Sequence, residues 1–378
     1  MSLYTTPLQF GYFTALLFSV LMLIRGFRED RLSDKMLGLV LFLLAIEIQD
    51  YTFGFAGINY LWEELNGFPR SINFAFAPSV YLYVRAVTNR NFTLSKSTLW
   101  HYLPYFVYFI FKSSIFFAGQ PVVEAFQKSN FHYWMNHVET FGALISYGFY
   151  FYLSLRLYKS YRAWVETEFS NVEEVSFTWI RDFIYLIIAG ESFRLLWYVI
   201  DIVNDLPFEQ DWWWHLFTVG VILYVAINGY NSHITIKIEF NKSSIDDQIE
   251  YIQNEEAKPP NAESLALKNK IIRAFTEEKV YLNPNLTLSD LARRLKTNSS
   301  ILSAAINQNF EKNFNDFVNE YRVSEFNILI KDSKYAHLTM TAIAYDCGFN
   351  SKSTFNRAYK KITGVSPSSN LNTKDKEI

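Results

Sequence analysis

The sequence predicts an all-α protein: a polytopic seven-helix transmembrane bundle followed by a cytoplasmic all-helical domain with two helix-turn-helix units. Three observations carry that prediction. Apolar runs of about 17–25 residues, the length that crosses a hydrocarbon core of about 30 Å, recur through the first 230 positions. Beyond residue 263 the apolar period becomes helical, and one motif occurs twice. The charge divides in the same place: the chain's net of -2 conceals 18 Lys+Arg against 25 Asp+Glu up to residue 262 and 17 against 12 thereafter. A mild basic excess suits an anionic partner but is also common on inert domains, so alone it decides nothing.

The apolar runs lie at 8–24, 36–56, 70–88, 99–118, 137–158, 179–203 and 212–230. The third is interrupted by Asn73, Pro78 and Arg85, and its rival reading is a re-entrant or interfacial helix; seven crossings satisfy the charge pattern and six do not. Lysine and arginine resist translocation, so they mark the cytoplasmic loops. Arg25, Arg28, Arg31 and Lys35 follow the first run, Arg85, Arg90 and Lys96 the third, Arg156, Lys159 and Arg162 the fifth, and Lys237 and Lys242 the seventh. The alternate loops are poor in such residues. The N-terminus is therefore expected outside, and everything after residue 230 in the cytoplasm. The opening MSLYTTPLQ lacks a positive n-region, which argues against a cleaved signal peptide.

Trp62, Trp100, Trp179 and Trp212–Trp214 crowd the run ends and fit an interfacial belt, which outweighs an aromatic cage for an external ligand. Ionisable residues at membrane depth are costly unless paired or solvated. Glu47 and Asp50 lie in the second run, Lys112 in the fourth, and Glu191 with Arg194 in the sixth. Glu191 and Arg194, three apart, share a helix face, and Lys112 is available to Glu47 or Asp50. These five are candidates for structural ion pairs or for an intramembrane signalling site. The last run, WWWHLFTVGVILYVAINGY, has no lysine for a Schiff base, which disfavours a retinal protein. The six histidines form no familiar zinc spacing, and the single Cys347 can make neither an intramolecular disulfide nor a thiolate cluster. No metal, no cofactor and no catalytic set is expected: neither a nucleophile with its base nor a phosphate-binding loop is visible.

Three segments follow: 1–230 as sensor or anchor, 231–262 as juxtamembrane linker, and 263–378 as the helical domain. The linker begins with alternating Ile234, Ile236, Ile238 and Phe240, a strand that could pair with a second protomer or else a juxtamembrane helix, and ends in an acidic run and a Pro-Pro boundary.

In the last segment, LTLSDLARRLKTNSSILSAAIN at 286–307 and LTMTAIAYDCGFNSKSTFNRAYK at 338–360 are versions of one pattern. Leu288, Leu291, Ala292 and Leu295 correspond to Met340, Ile343, Ala344 and Cys347, and Leu302, Ala305 and Ile306 to Phe355, Ala358 and Tyr359. Two short helices with a small residue where they cross make a helix-turn-helix. In the second copy Lys352, Ser353, Asn356, Arg357, Lys360 and Lys361 supply one polar, basic face; in the first, Ser300, Ser303 and Asn307 form a less charged one. Arginine suits a guanine edge and asparagine an adenine edge, while lysines and hydroxyls suit phosphates.

The run from about 265 to 370 resembles the DNA-binding domain of the AraC/XylS family of transcription regulators. IAYDCGFNSKSTFNRAYKKITGVSP, 343–367, is similar to that family's C-terminal signature almost position by position. The resemblance implies two helix-turn-helix units joined by a linker helix, here 315–330, with recognition helices in successive major grooves of double-stranded DNA. Three positions depart from the family: Lys296 and Glu311 stand where glycine is usual, and Phe326 replaces a small residue of the linker helix. A left-handed backbone at a non-glycine residue costs about 1 kcal/mol.

Together these readings predict a non-enzymatic, membrane-integral one-component transcription regulator of the bacterial inner membrane. Its partners would be double-stranded DNA, the lipid bilayer, a second copy in a homodimer, and a small-molecule or envelope signal. The alternative is a membrane receptor or transporter-like protein whose helical tail docks a protein instead of DNA.

Overall fold

The computed structural model describes residues 5–58, 64–172, 175–204, 211–232, 240 and 262–369. Trp62 and the alternating Ile234, Ile236 and Ile238 of the linker lie outside them. The chain divides into two compact units. One comprises residues 1–159 with 178–239, and the other 160–177 with 240–378. All regular elements among the described residues are helical.

In the first unit α1 (Thr5–Arg28) and α2 (Leu32–Phe55) form a tight hairpin. Ser19 Oγ donates to the Gly38 carbonyl at 2.7 Å, a bond that satisfies a hydroxyl in an apolar interface. At the turn Arg25 clamps Asp34 through Nε and Nη2 at 2.7 and 3.0 Å. Its Nη1 also donates to the Tyr230 carbonyl of α9 (Trp212–Asn231) at 2.9 Å. The guanidinium thus closes a carbonyl that a helix end would otherwise leave open. Among the described residues the remaining α-helices of this unit are α3 (Phe76–Thr88), the single turn α4 (Lys96–Leu99), α5 (Leu103–Phe117), α6 (Gln120–Gln127), most of α7 (Asn130–Glu168), and α8 (Thr178–Asn204).

Seven membrane spans are not found. Among the described residues three helices, α1, α2 and α9, are long and apolar enough to cross. The third expected run keeps 13 helical residues, about 20 Å. Its start is drawn aside: Arg70 pairs with Asp50 at 2.7 Å, and Ser71 and Asn73 bond to Glu139. The fourth run breaks at the 3-10 turn Trp100–Tyr102, ahead of Pro104, so that α5 is 15 residues long. The fifth falls within the 39-residue α7, too polar in composition despite its length. That helix nevertheless carries a one-sided apolar stripe, Phe131, Trp134, Val138, Phe141, Ile145, Phe149 and Tyr152, with each side chain more than half exposed. The sixth lies in α8, of 27 residues, with Glu191 and Arg194 near its centre.

In the second unit α10 (Ala262–Thr276) leads into α11 (Leu288–Leu295), α12 (Ser299–Phe310), α13 (Phe314–Leu329), α14 (Met340–Asp346) and α15 (Lys352–Thr363). Each helix from α11 onward starts on a side-chain oxygen: Thr287, Asn298, Asn313, Thr339 and Ser351 each accept from the backbone N–H three residues on. Such a cap contributes about 1 kcal/mol and fixes where the helix begins. Two cores form. Ile271, Phe275, Leu291, Leu302 and Ile306 pack with Phe314 and Phe317; Ile343, Cys347, Phe349, Phe355 and Tyr359 pack with Val323 and Phe326. The linker helix α13 serves both, and Phe326 fills the second core with its ring 4.5 Å from that of Phe355.

Candidate nucleic-acid interface and interhelical cavity

The two helix-turn-helix units are α11–α12 and α14–α15. In the second, the turn runs through Gly348 at φ +92°, which frees the chain to reverse between Cys347 and the Ser351 cap. A Cβ there would sit 2.5 Å from the Tyr281 carbonyl oxygen, so only glycine fits. The helix α15 then buries Phe355, Ala358 and Tyr359 and turns Lys352, Ser353, Asn356, Arg357, Lys360 and Lys361 outward, all six exposed. That face has the hydrogen-bonding range and positive charge that a base edge and its flanking phosphates require.

The first unit presents a different face. Lys296 takes the left-handed turn at φ +57°, and Glu311 ends α12 at φ +54°. Along α12, Ser300 and Asn307 are half-buried, whereas Ser303 is 5% and the neighbouring Ala304 2% exposed. Leu302, Ala305 and Ile306, on the other side, belong to the core, so five consecutive residues are enclosed. With Ser300 and Asn307 half-buried and Gln308 exposed, α12 offers less open polar surface than α15.

On the flank of α15, Arg357 and Lys361 line a cavity of about 190 Å³ together with Arg162, Glu166, Asn315 and Asn319. Lys361 Nζ meets both Asp316 carboxylate oxygens, at 2.6 and 2.7 Å. At the centre of α13 lies a residue that sequence reasoning passed over. Arg322, fully buried, donates from Nε to the Tyr281 carbonyl at 2.8 Å, from Nη2 to the Asn283 carbonyl at 2.8 Å and Ser170 Oγ at 3.2 Å, and from Nη1 to the Ser170 carbonyl at 3.4 Å. Burial pushes this guanidinium down to about 9, still above neutrality, so a full positive charge is held by neutral oxygens. Its only signal in the sequence is an arginine at a core-facing position of an amphipathic helix, which long-range partners alone explain. Burial likewise pushes the Cys347 thiol up to about 12, so it packs as a small apolar group.

In the first unit a second cavity, of about 40 Å³, lies between helices. That is room for about two or three waters. Glu47 of α2, Phe76 of α3, Tyr147 of α7, Glu191 of α8 and Trp214 of α9 line it. Glu191 is held by Arg194, whose Nε and Nη2 donate to its Oε2 at 2.9 and 2.6 Å. The structure does not bring Lys112 to either carboxylate of α2: its Nζ lies over the rings of Tyr108 and Phe126, and Asp50 is taken by Arg70. Glu47 and Glu191 therefore share the cavity, and Asp50 and Lys112 lie outside it.

Among known families, that of the helix-turn-helix domain matches residues 291–372, from within α11 past the end of α15. The C-terminal part of the chain is accordingly an AraC-type helix-turn-helix DNA-binding domain, which implies sequence-specific DNA binding and transcription regulation. No curated protein and no solved structure matches the chain.

Proposed function

We propose that the protein is a membrane-integral one-component transcription regulator of the bacterial inner membrane, with its N-terminus outside and its DNA-binding domain in the cytoplasm. The observation that carries the reading is the combination in one chain of an AraC-type domain, whose α15 offers an open basic face, with three helices of membrane length. The exposed apolar stripe of α7 supports contact with lipid, because an apolar face of that extent is not left to water. Lysine and arginine around the α1–α2 turn support that turn's cytoplasmic placement.

On this reading Lys352, Ser353, Asn356, Arg357, Lys360 and Lys361 engage double-stranded DNA, with Ser300, Ser303 and Asn307 of α12 as the second, weaker contact. The signal acts at or in the membrane, and the cavity between Glu47 and Glu191 is its candidate site. A buried carboxylate facing aromatic rings suits a proton or a small cationic group. A homodimer is the default assembly for such regulators.

The test is genomic DNA selection with sequencing on the full-length protein in lipid nanodiscs, beside N356A and R357A. Enrichment of one motif with two blocks about one helical turn apart, weakened in both variants, is the expected result. A folded protein that enriches no motif overturns the reading and moves the weight to a domain that docks a protein.

A further inference from the structure

We infer that the cavity of about 190 Å³ between the end of α7, α13 and α15 is a binding site for a small acidic amino acid. The site lies wholly within the second compact unit, and the inference does not rest on how that unit meets DNA.

Three helix walls each turn one face to this space. Arg162 and Glu166 stand four apart on α7, Arg357 and Lys361 four apart on α15, and Asn315 and Asn319 four apart on α13, a spacing that stacks side chains over successive turns. Polar groups therefore reach the cavity from every wall, whereas a void left by imperfect helix packing is lined by apolar ones. The volume is that of about six waters, which is the scale of a metabolite and below that of a drug-sized ligand.

The charges set the class of guest. Arg162, Arg357 and Lys361 supply three positive charges and Glu166 and Asp316 two negative ones, a net of +1. The two signs are interleaved: Arg162 Nη2 lies 3.3 Å from Glu166 Oε1, and Lys361 of α15 reaches Asp316 of α13. A guanidinium has five donors, so Arg162 can keep Glu166 and still take a second carboxylate. The complement of this array is a molecule with two carboxylates and one ammonium. A dicarboxylate without the ammonium would bring its anionic groups to Glu166 and Asp316 with nothing to offset them, and a neutral guest would leave the net charge uncompensated.

A buried atom calls for the same donor. Asn315 Nδ2 is committed to the Phe169 and Ser170 carbonyls, so its Oδ1 is the acceptor of the 3.1 Å bond from Asn319 Nδ2. That bond fixes which way the Asn319 amide points. Asn319 is 5% exposed, and its Oδ1 has no partner among the described residues. Buried acceptors are rarely left so, and an ammonium entering beside α13 brings the donor. Arg357 and Lys361 also belong to the DNA-contact set proposed above, so on that reading a bound amino acid and DNA draw on the same two cations.

The test is isothermal titration calorimetry of the full-length protein in lipid nanodiscs, with empty nanodiscs as the blank and L-glutamate and L-aspartate as probes. Saturable binding of one of them is expected. Glutarate, which lacks the ammonium, and L-glutamine, which lacks the side-chain charge, should bind about tenfold more weakly or worse. Two variants locate the site, at part-exposed Arg162 and exposed Glu166, both outside the proposed DNA-contact set. R162Q should weaken L-glutamate and glutarate alike by about tenfold, whereas E166Q should weaken L-glutamate by about tenfold and leave glutarate unchanged. If the natural protein binds neither probe, the inference is overturned whatever the variants do. Binding that R162Q and E166Q leave unchanged also overturns it, because the guest then sits elsewhere. Glutarate bound as tightly as L-glutamate removes the ammonium from the argument and the proposed class with it.

Discussion

The two helix-turn-helix units are copies of one pattern held in place by different means. The second makes both its tight turn and its helix end with glycine, Gly348 and Gly364, and keeps its recognition helix open. The first makes the same two turns with Lys296 and Glu311, forced into left-handed conformations, and has the middle of its recognition helix, residues 302–306, buried. The difference teaches that a fold can be duplicated while its conformational cost is not. Where glycine was unavailable, the first unit spends about 1–2 kcal/mol at each turn, and α10, the linker helix and the 160–177 segment hold it in place.

The largest expected effect comes from removing what the units share. Arg322→Met leaves the Tyr281, Asn283 and Ser170 carbonyls without their donor, and should cost about 3–5 kcal/mol. Thermal unfolding of the full chain in detergent measures it, and both units should melt at the lower temperature, whereas loss of one alone would show that α13 does not couple them. Next is Gly348→Ala. Left-handed strain of about 1–2 kcal/mol adds to overpacking against a backbone carbonyl of about 1–3 kcal/mol, so the same melt should lose about 3 kcal/mol.

On the proposed reading, Asn356→Ala should weaken specific DNA binding by about 1–3 kcal/mol, while Asn307→Ala, at a half-buried position, should change it far less. Titration at fixed salt compares them, and equal losses would mean that both helices read DNA alike. Lys360→Ala should lower the slope of affinity against salt by about one. The smallest effect is a gain: Lys296→Gly relieves about 1–2 kcal/mol of strain and gives back about 0.5–1 in unfolded-chain entropy, so about 0.5–1 kcal/mol of stabilisation remains. A destabilised Lys296→Gly would show that the lysine stem contributes packing that outweighs its backbone.

The duplicated units were legible because everything that defines them is local: apolar spacing, small crossing residues, and serine, threonine or asparagine at each helix start. Lys296 and Glu311 could be singled out by aligning the chain with itself, and they do occupy positive φ. The N-terminal half was over-read for an equally physical reason. A window of apolar residues records composition, not whether one helix runs through it. The 70–88 run lost its first residues to Asp50 and Glu139, partners 20 and 66–68 positions away. The pairing of Lys112 with an acidic residue of α2 failed in the same way, since Arg70 was nearer to Asp50. Least legible was the seating of 160–177. Its bonds run mainly to backbone carbonyls and amides, which every sequence has, and Arg162, which reads as one more loop cation, lines a cavity beside α15.

Arg322 and Ser170 are 152 positions apart. A chain synthesised at about 5–20 residues per second therefore leaves Phe169 and Ser170 for roughly 8–30 s without the helix that binds their carbonyls. During that interval the helices that flank the segment are already made, and the segment waits with its apolar side chains in water. Its burial is among the last steps of biosynthesis, and a nascent chain halted short of α13 would present this sticky patch to the cell's quality-control machinery.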